Sequence, residues 1–135
     1  MGSRLTEIAV DCHDPVALAE FWAAVLNYHV VSSEDDQVIE IAPWEQEPRD
    51  LADQIRRAPI VPSLFFARVP EGKTVKNRLH MDLRPVDCSQ EEELARLISL
   101  GARHADVGQG QQPWIVLADP EGNEFCLLAA LPPSA

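Results

Sequence analysis

The chain has 135 residues, of which 46% are hydrophobic, and this suits one compact domain or two half-size units that share a core. Its formal net charge of −11 repels phosphate groups, so we expect neither nucleic acid nor an anionic membrane as a partner. No apolar stretch approaches the roughly 20 residues needed to span a bilayer, and the N-terminus lacks the apolar core of a secretion signal. Cys12, Cys88 and Cys126 have no paired spacing, which indicates a reducing compartment. We therefore expect a cytoplasmic protein.

One pattern of residues occurs twice along the chain. Glu7 begins a short apolar run, Asp14 follows seven residues later, and an amphipathic helix comes next. His80 begins a second apolar run, which is followed by Asp87 and another helix. The offset is the same at both marks (80 − 7 = 73 and 87 − 14 = 73) and is about half the chain. The repeat predicts two copies of one unit, related by a pseudo-twofold axis, with a site where the copies meet.

The first copy, at about residues 4–70, is predicted to hold a strand, a helix and three further strands. The strands are expected at residues 6–11, 28–33, 37–42 and 64–69, with a turn at 34–36 and a short helix around 51–55. Asp14 and Pro15 start the main helix, because aspartate caps free amides and proline suits the first turn. Apolar residues at spacings of three and four give this helix one stripe, and Asn27 ends it.

The second copy, at about residues 79–131, follows a junction at residues 71–78. Its strands are expected at residues 80–83, 104–107, 114–118 and 124–128, with turns at 109–113 and 119–123. Ser89 and Glu92 match a capping box, and Gly101 suits the left-handed position that ends the helix. The order β-α-β-β-β, found twice, predicts a single α+β domain whose mixed sheets curve around a shared cleft.

Alternation along the predicted strands sorts their side chains onto two faces. A helix packed on one face of each sheet is expected to bury Ile8, Val10, Met81 and Leu83. The opposite, concave face then collects Glu7, Ala9, Asp11, His80, Asp82 and Arg84, with Glu124 and Cys126 from the last strand. Carboxylate, imidazole and thiol groups on one surface can serve as metal ligands or as acid–base groups.

Several motifs carry a resemblance to a known superfamily. They are residues 11–15 running into Phe21 and Trp22, residues 69–71, residues 76–83 and residues 119–126. Over nearly the whole chain the layout resembles the vicinal oxygen chelate superfamily, which includes glyoxalases, fosfomycin and bleomycin resistance proteins and extradiol dioxygenases. It is most similar to the glyoxalase-like domain branch. The resemblance implies a small-molecule ligand and a homodimer.

The resemblance also implies where a metal ion would bind, at the start of each copy's first strand and late in each copy's last strand. The first-strand positions fall on Glu7 and His80. The late position in the second copy normally holds a glutamate seven residues after the aspartate of the turn, and here it falls on Cys126 (119 + 7 = 126). Its equivalent in the first copy falls near Ala67, which cannot ligate a metal. The implied metal ligands are therefore Glu7, His80 and Cys126.

The loss of two usual ligand positions favours a protein that binds a small organic molecule in the cleft, without a cofactor and without a complete catalytic metal site. One alternative is a lyase, isomerase or oxygenase that uses a zinc, manganese, nickel or iron ion. Another is a metal-free acid–base enzyme that uses Glu7 and His80. Glu124 is a further catalytic candidate. The candidate ligand-binding residues are Asp11, Phe65, Ala67, Asp82, Arg84, Trp114 and Cys126.

Structural roles compete with these assignments. His80 could be a buried histidine that is hydrogen-bonded to Glu7, and Cys126 could be a small core residue. The charged side chains at positions 11, 78, 82 and 84 could pair with one another in an internal network, which would offset the cost of burying their charges.

Overall fold

The structure, a computed structural model, describes residues 2–108 and 110–133. The chain divides into two compact units, Met1–Gly72 and Lys73–Ala135, which we call module one and module two. The division lies within the predicted junction at residues 71–78. The predicted turn at residues 109–113 begins on Gln109, which is outside the described residues.

Module one contains a four-stranded mixed sheet. Its elements in chain order are β1 (Glu7–Cys12), α1 (Pro15–Leu26), β2 (His29–Glu34), β3 (Val38–Ala42), α2 (Leu51–Arg57) and β4 (Ser63–Arg68). The strand order is β1-β4-β3-β2, with β1 parallel to β4 and the other neighbours antiparallel.

Module two repeats this topology. Its elements are β5 (Asp82–Leu83), α3 (Gln90–Leu100), β6 (Arg103–His104), β7 (Ile115–Ala118) and β8 (Glu124–Leu127). The order β5-β8-β7-β6, with β5 parallel to β8, matches that of module one strand for strand. The predicted α+β fold of two βαβββ modules is therefore confirmed.

The core of module one lies between α1 and strands β3 and β4. The Asp14 side chain accepts a hydrogen bond from the amide of Ala17 at 3.2 Å, and Asn27 ends the helix with a φ of 56°. Both residues act as the sequence predicts. The buried side chains on the two sides of this core are those of Leu18, Phe21, Trp22, Val25, Ile39, Ile41, Leu64 and Phe66.

The core of module two is smaller and is built around Leu97 of α3 and the last two strands. Ser89 and Glu92 form the complete capping box, and Gly101 ends the helix with a φ of 126°. The Asp119 carboxylate is fully buried and accepts hydrogen bonds from the amides of Glu121 and Asn123 at 2.9 Å. It thereby fixes the turn that precedes β8.

Two sequence-based expectations about the sheets are corrected. The strand predicted at residues 80–83 is reduced to Asp82–Leu83, and the one predicted at 104–107 is shorter and begins one residue earlier, at Arg103–His104. The helices also do not bury the first strands as expected. Ile8 is 36% exposed, and Val10, Met81 and Leu83 are half-buried. In module one the physical reason is that α1 packs on β3 and β4, whereas β1 lies at the edge of the sheet.

Within residues 2–108 and 110–133, no helix has the length and apolarity that crossing a membrane requires.

Candidate functional site

Module two contains a pocket of about 300 Å³ between its sheet, the segment before β5 and the loop before β7. This size is at the lower end of the range of small-molecule sites. The pocket is lined by Lys76, His80, Asp82, Val107, Trp114, Val116, Glu124, Cys126 and Leu128. Five of the sequence-predicted site residues, at positions 80, 82, 114, 124 and 126, therefore lie around one cavity.

Three of these residues form a compact polar cluster. The Nδ1 atom of His80 lies 3.2 Å from a carboxylate oxygen of Asp82. The nearest ligand-type atoms of His80, Asp82 and Cys126 all lie within 4.8 Å of one another. Sheet register explains the grouping, because Asp82 and Cys126 are direct neighbours on the parallel strands β5 and β8, so their side chains leave the sheet on the same side.

The surroundings of Cys126 favour the thiol form of its side chain. Burial raises the pKa of Cys126, and the nearby negative charge of Asp82 and a hydrogen bond to its carboxylate raise this pKa further, while Lys76 opposes them. Cys126 is only 8% exposed. Since the thiolate is the reactive form, this environment disfavours a nucleophilic role.

Glu124 is held by an ion pair. Its carboxylate accepts hydrogen bonds from the ammonium group of Lys73 at 3.0 Å and from the amide of Asn77 at 3.1 Å. Burial alone would raise the pKa of Glu124, but the hydrogen bonds from Lys73 and from backbone amides outweigh it, and the pKa is lowered. A carboxylate stabilised in this way is a weak general base.

The apolar wall of the pocket comes from Val107, Trp114, Val116 and Leu128. Trp114 stays 37% exposed although it lines the cavity. A large aromatic face next to solvent and next to charged groups can stack on the planar part of a ligand.

Four further predicted site residues belong to module one. Glu7 and Asp11 are exposed on β1, while Phe65 and Ala67 are half-buried on β4 of module one. Ala9 pairs with Phe65, and Asp82, which stands 73 positions after Ala9, pairs with Cys126. The register therefore places Phe65, rather than Ala67, at the position that matches Cys126. Neither side chain offers a metal donor.

Two structural interpretations from the sequence are wrong. His80 is exposed, with 39% of its side-chain surface accessible, so it is not a buried core histidine. The charges at positions 11, 78, 82 and 84 do not form an internal network, because all four residues are exposed. Arg84 instead donates a hydrogen bond to the carbonyl of Ala129 at 2.9 Å.

The three side chains of the cluster can be compared with the ligands that a metal ion requires. Imidazole, carboxylate and thiolate are all zinc ligands, at roughly 2.0–2.3 Å from a tetrahedral ion, so two ligands of one ion lie about 3.3–3.8 Å apart. The ligand atoms of the three residues lie within 4.8 Å of one another, so they would have to move closer by up to about 1 Å to bind one ion. Cys126 must lose its proton to bind metal, against its raised pKa. By donor chemistry the residues fit a zinc-type ion, on the condition that the thiol is deprotonated.

Sequence reasoning missed the partners that organise this site. Strand alternation placed His80, Asp82 and Cys126 on one face, but it did not indicate that their ligand-type atoms come within 4.8 Å of one another. No signal in the sequence indicated that the side chain of Lys73, which is 19% accessible, pairs with Glu124. The shared strand face of Glu124 and Cys126 was visible in the sequence, but the fold of the segment before β5 was not.

A second cavity, of about 450 Å³, lies in module one and is lined by His13, Gln37, Arg68, Val69 and Pro70. It is larger than the module-two pocket, but its lining includes only one charged residue, Arg68. The chemistry therefore concentrates in the smaller cavity.

Comparison with known families agrees with the fold. The sequence profile of the glyoxalase-like domain family matches residues 7–128. No curated protein sequence matches the chain.

Solved structures with a similar fold cover almost the whole chain. The fosfomycin resistance protein FosX from Mesorhizobium loti has 12% identity and a TM-score of 0.65, with 97% of this chain and 94% of that chain covered. A FosX mutant from Listeria monocytogenes, in complex with Mn(II) and a dihydroxypropylphosphonic acid, has 15% identity and a TM-score of 0.62, with 97% and 93% covered. A glyoxalase/bleomycin resistance protein/dioxygenase family enzyme from Burkholderia phytofirmans has 16% identity and a TM-score of 0.59, with 93% and 97% covered. At these identities the likeness is one of fold.

Proposed function

Because the chain belongs to the glyoxalase-like domain family of the vicinal oxygen chelate superfamily, we propose that it binds a small organic molecule in the module-two pocket without a complete catalytic metal site. The observation that carries this proposal is the composition of the pocket. An apolar wall with Trp114 faces a polar side with His80 and Lys76. Sites of this kind suit ligands that have both an apolar body and a few polar groups.

The state of the polar groups supports binding over catalysis. The Glu124 carboxylate is engaged by Lys73 and Asn77, and the Cys126 thiol is hydrogen-bonded to Asp82. The candidate base and the candidate nucleophile are thus each stabilised in an unreactive form. The ligand we expect carries an aromatic or other planar part, which packs against Trp114, and a polar group that reaches Lys76 or His80.

A thermal-shift screen on chelator-treated protein tests the proposal. The panel contains aromatic carboxylates and amines, with fosfomycin and bleomycin included because of the similar structures. We expect at least one compound to give a saturable rise in melting temperature. Trp114→Ala should abolish that rise, while Trp44→Ala, which changes a half-buried tryptophan of module one, should leave it in place. A rise in melting temperature that requires added metal, or that persists in Trp114→Ala, would overturn the proposal.

A metal-dependent enzyme is the second candidate, and the cluster of His80, Asp82 and Cys126 is the observation that favours it. These three residues would hold the ion. A bound divalent ion would supply a Lewis acid able to stabilise an oxyanion or enediolate. The test is the metal content of tag-free protein after chelation and reconstitution with zinc, manganese, nickel or ferrous iron. Near one ion per chain, lost in His80→Ala, would establish this candidate; no specific uptake would exclude it.

We also propose a cytoplasmic homodimer that does not bind nucleic acid. The three cysteines are free thiols, which suits a reducing compartment. The net charge of −11 disfavours nucleic acid. Exposed apolar side chains and a sheet-edge strand, β1, in module one give a physical motive for self-association. The exposed residues are Leu5, Val30 and Val61, at 62%, 54% and 59%. Light scattering after size exclusion should give twice the mass of one chain.

A further inference from the structure

The segment before β5, residues 73–80, is fastened to β8 by one carboxylate. We call this segment the strap. The ammonium group of Lys73 contacts both oxygens of Glu124 at 3.0 Å, and the amide of Asn77 donates to the same carboxylate at 3.1 Å. Lys73 also donates to the carbonyl of Val75 at 2.5 Å, which bends the strap back on itself. Contacts from two ends of a five-residue stretch thus converge on Glu124.

Apolar packing does not hold the strap in place. Its largest apolar side chains, Val75 and Leu79, are 76% and 91% exposed. By contrast, the side chains of Lys73 and Glu124 are only 19% and 13% accessible. Charge-assisted hydrogen bonds that are partly shielded from water are stronger than exposed ones. Removing either partner leaves the other without its counter-charge, which adds to the loss.

The strap forms one side of the module-two pocket. It supplies Lys76, which lies between the two anchored residues Lys73 and Asn77, and His80 at its end. Glu124 and Cys126 stand two positions apart on β8 and therefore share a face of the sheet. The point that anchors the strap is thus next to the buried thiol of Cys126.

We propose that Glu124 is a positioning residue that fastens the strap to β8, so that Lys76 and His80 complete the pocket and close access to Cys126. Glu124 itself contacts the strap rather than acting as a base. The effect on ligand affinity rests on the function proposed above, whereas the effect on access to Cys126 does not depend on any ligand.

The test uses the full chain without ligand and measures two local quantities. The first is the rate at which iodoacetamide alkylates Cys126, resolved from the other cysteines by peptide mass spectrometry. The second is the hydrogen-exchange rate of the Asn77 amide. In Glu124→Gln and in Lys73→Met we expect both rates to rise about tenfold, which corresponds to ~1.4 kcal/mol of strap opening. Lys73→Arg, which keeps the charge and the donors, should restore values near those of the wild type.

The two substitutions separate positioning from simple electrostatics. Loss of the negative charge in Glu124→Gln would favour the Cys126 thiolate, whereas loss of the positive charge in Lys73→Met would disfavour it. Changes in Cys126 reactivity of opposite sign would therefore show a charge effect and overturn the proposal, as would an unchanged Asn77 exchange rate. Accelerated reaction in both variants supports it.

Controls exclude general unfolding. The amide of Leu117, which is fully buried in β7, should keep its slow exchange in every variant. Glu93→Gln removes another carboxylate ion pair of module two, the one with Arg96 at 2.7 Å, and should leave Cys126 and Asn77 unchanged. If Glu93→Gln opens the strap as well, Glu124 has no special role and the proposal fails. Because no ligand is used, failure to find a ligand would not alter this result.

Discussion

The Nδ1 atom of His80 lies 3.2 Å from a carboxylate oxygen of Asp82, two residues further along the chain. Side chains at positions i and i+2 of an extended strand are roughly 6–7 Å apart. The contact exists because β5 begins only at Asp82, so the backbone at His80 is free to turn its imidazole toward the carboxylate. The shortening of one strand thus groups His80 with Asp82 and, through the sheet register, with Cys126.

The first prediction follows from the exposure of His80 and distinguishes a role in the pocket from a role in the core. Since 39% of its side chain is accessible, His80→Ala should lower the free energy of unfolding by about 0.5 kcal/mol or less. Urea denaturation followed by circular dichroism measures this. The same variant should bind less tightly any ligand that shifts the melting temperature of the wild type.

A loss of several kcal/mol in His80→Ala would contradict the exposed position. The matched control is His104→Ala, which removes another exposed histidine of module two that does not line the pocket. It should change neither stability nor ligand response.

The second prediction concerns the effect of Asp82 on the pH dependence of the Cys126 thiol. Burial raises the pKa of Cys126 first, and the charge of Asp82 and its hydrogen bond add to the rise. Asp82→Asn removes the charge, so the pKa should fall toward its ordinary value while the contribution of burial remains. The rate of iodoacetamide alkylation, measured against pH at Cys126, should shift to lower pH.

Cys88 supplies a matched control for this shift. Burial and then the charges of Glu93 and Asp87 raise the pKa of Cys88. Asp87→Asn should therefore move the pH profile of Cys88 and leave that of Cys126 in place. A Cys126 profile that does not move in Asp82→Asn would show that the carboxylate does not act on the thiol.

The ends of the helices could be predicted from the sequence because the signals are local. Asp14, Asn27 and Ser89 each satisfy backbone groups within three or four residues, so their roles depend on little beyond their own turn. The repeat of the βαβββ order was readable for a similar reason, since the strands, turns and helices follow one another in the same pattern twice.

The candidate site could be predicted only in part because its contacts are non-local. Strand alternation placed Glu124 and Cys126 on one face, and they do line one pocket. The Lys73–Glu124 contact joins residues 51 positions apart, and no pattern in the sequence indicates which basic side chain reaches that carboxylate. The contact between Asp82 and Cys126 depends on strand register, which requires the folded sheet.

Adjacent phenylalanines of β4 provide the third prediction. Phe66 is fully buried, whereas Phe65 points to the other face and is half-buried. Phe66→Ala should lower the free energy of unfolding by about 3–5 kcal/mol, because the core cannot fill the cavity that it leaves. Phe65→Ala, which makes the same chemical change, should cost clearly less. Urea denaturation of both variants checks the difference, and equal losses would contradict the assignment of the two faces.

Helix α3 yields the fourth prediction, because its N-terminus depends on a reciprocal pair of hydrogen bonds. The Ser89 hydroxyl accepts from the amide of Glu92 at 3.1 Å, and the Glu92 carboxylate accepts from the amide of Ser89 at 3.3 Å. Ser89→Ala should cost about 1 kcal/mol of stability. Ser99→Ala is the matched control, because the Ser99 hydroxyl donates to the carbonyl of Arg96 within the exposed last turn and leaves no amide unsatisfied. Equal melting temperatures for the two variants would mean that the capping box contributes nothing to the stability of the protein.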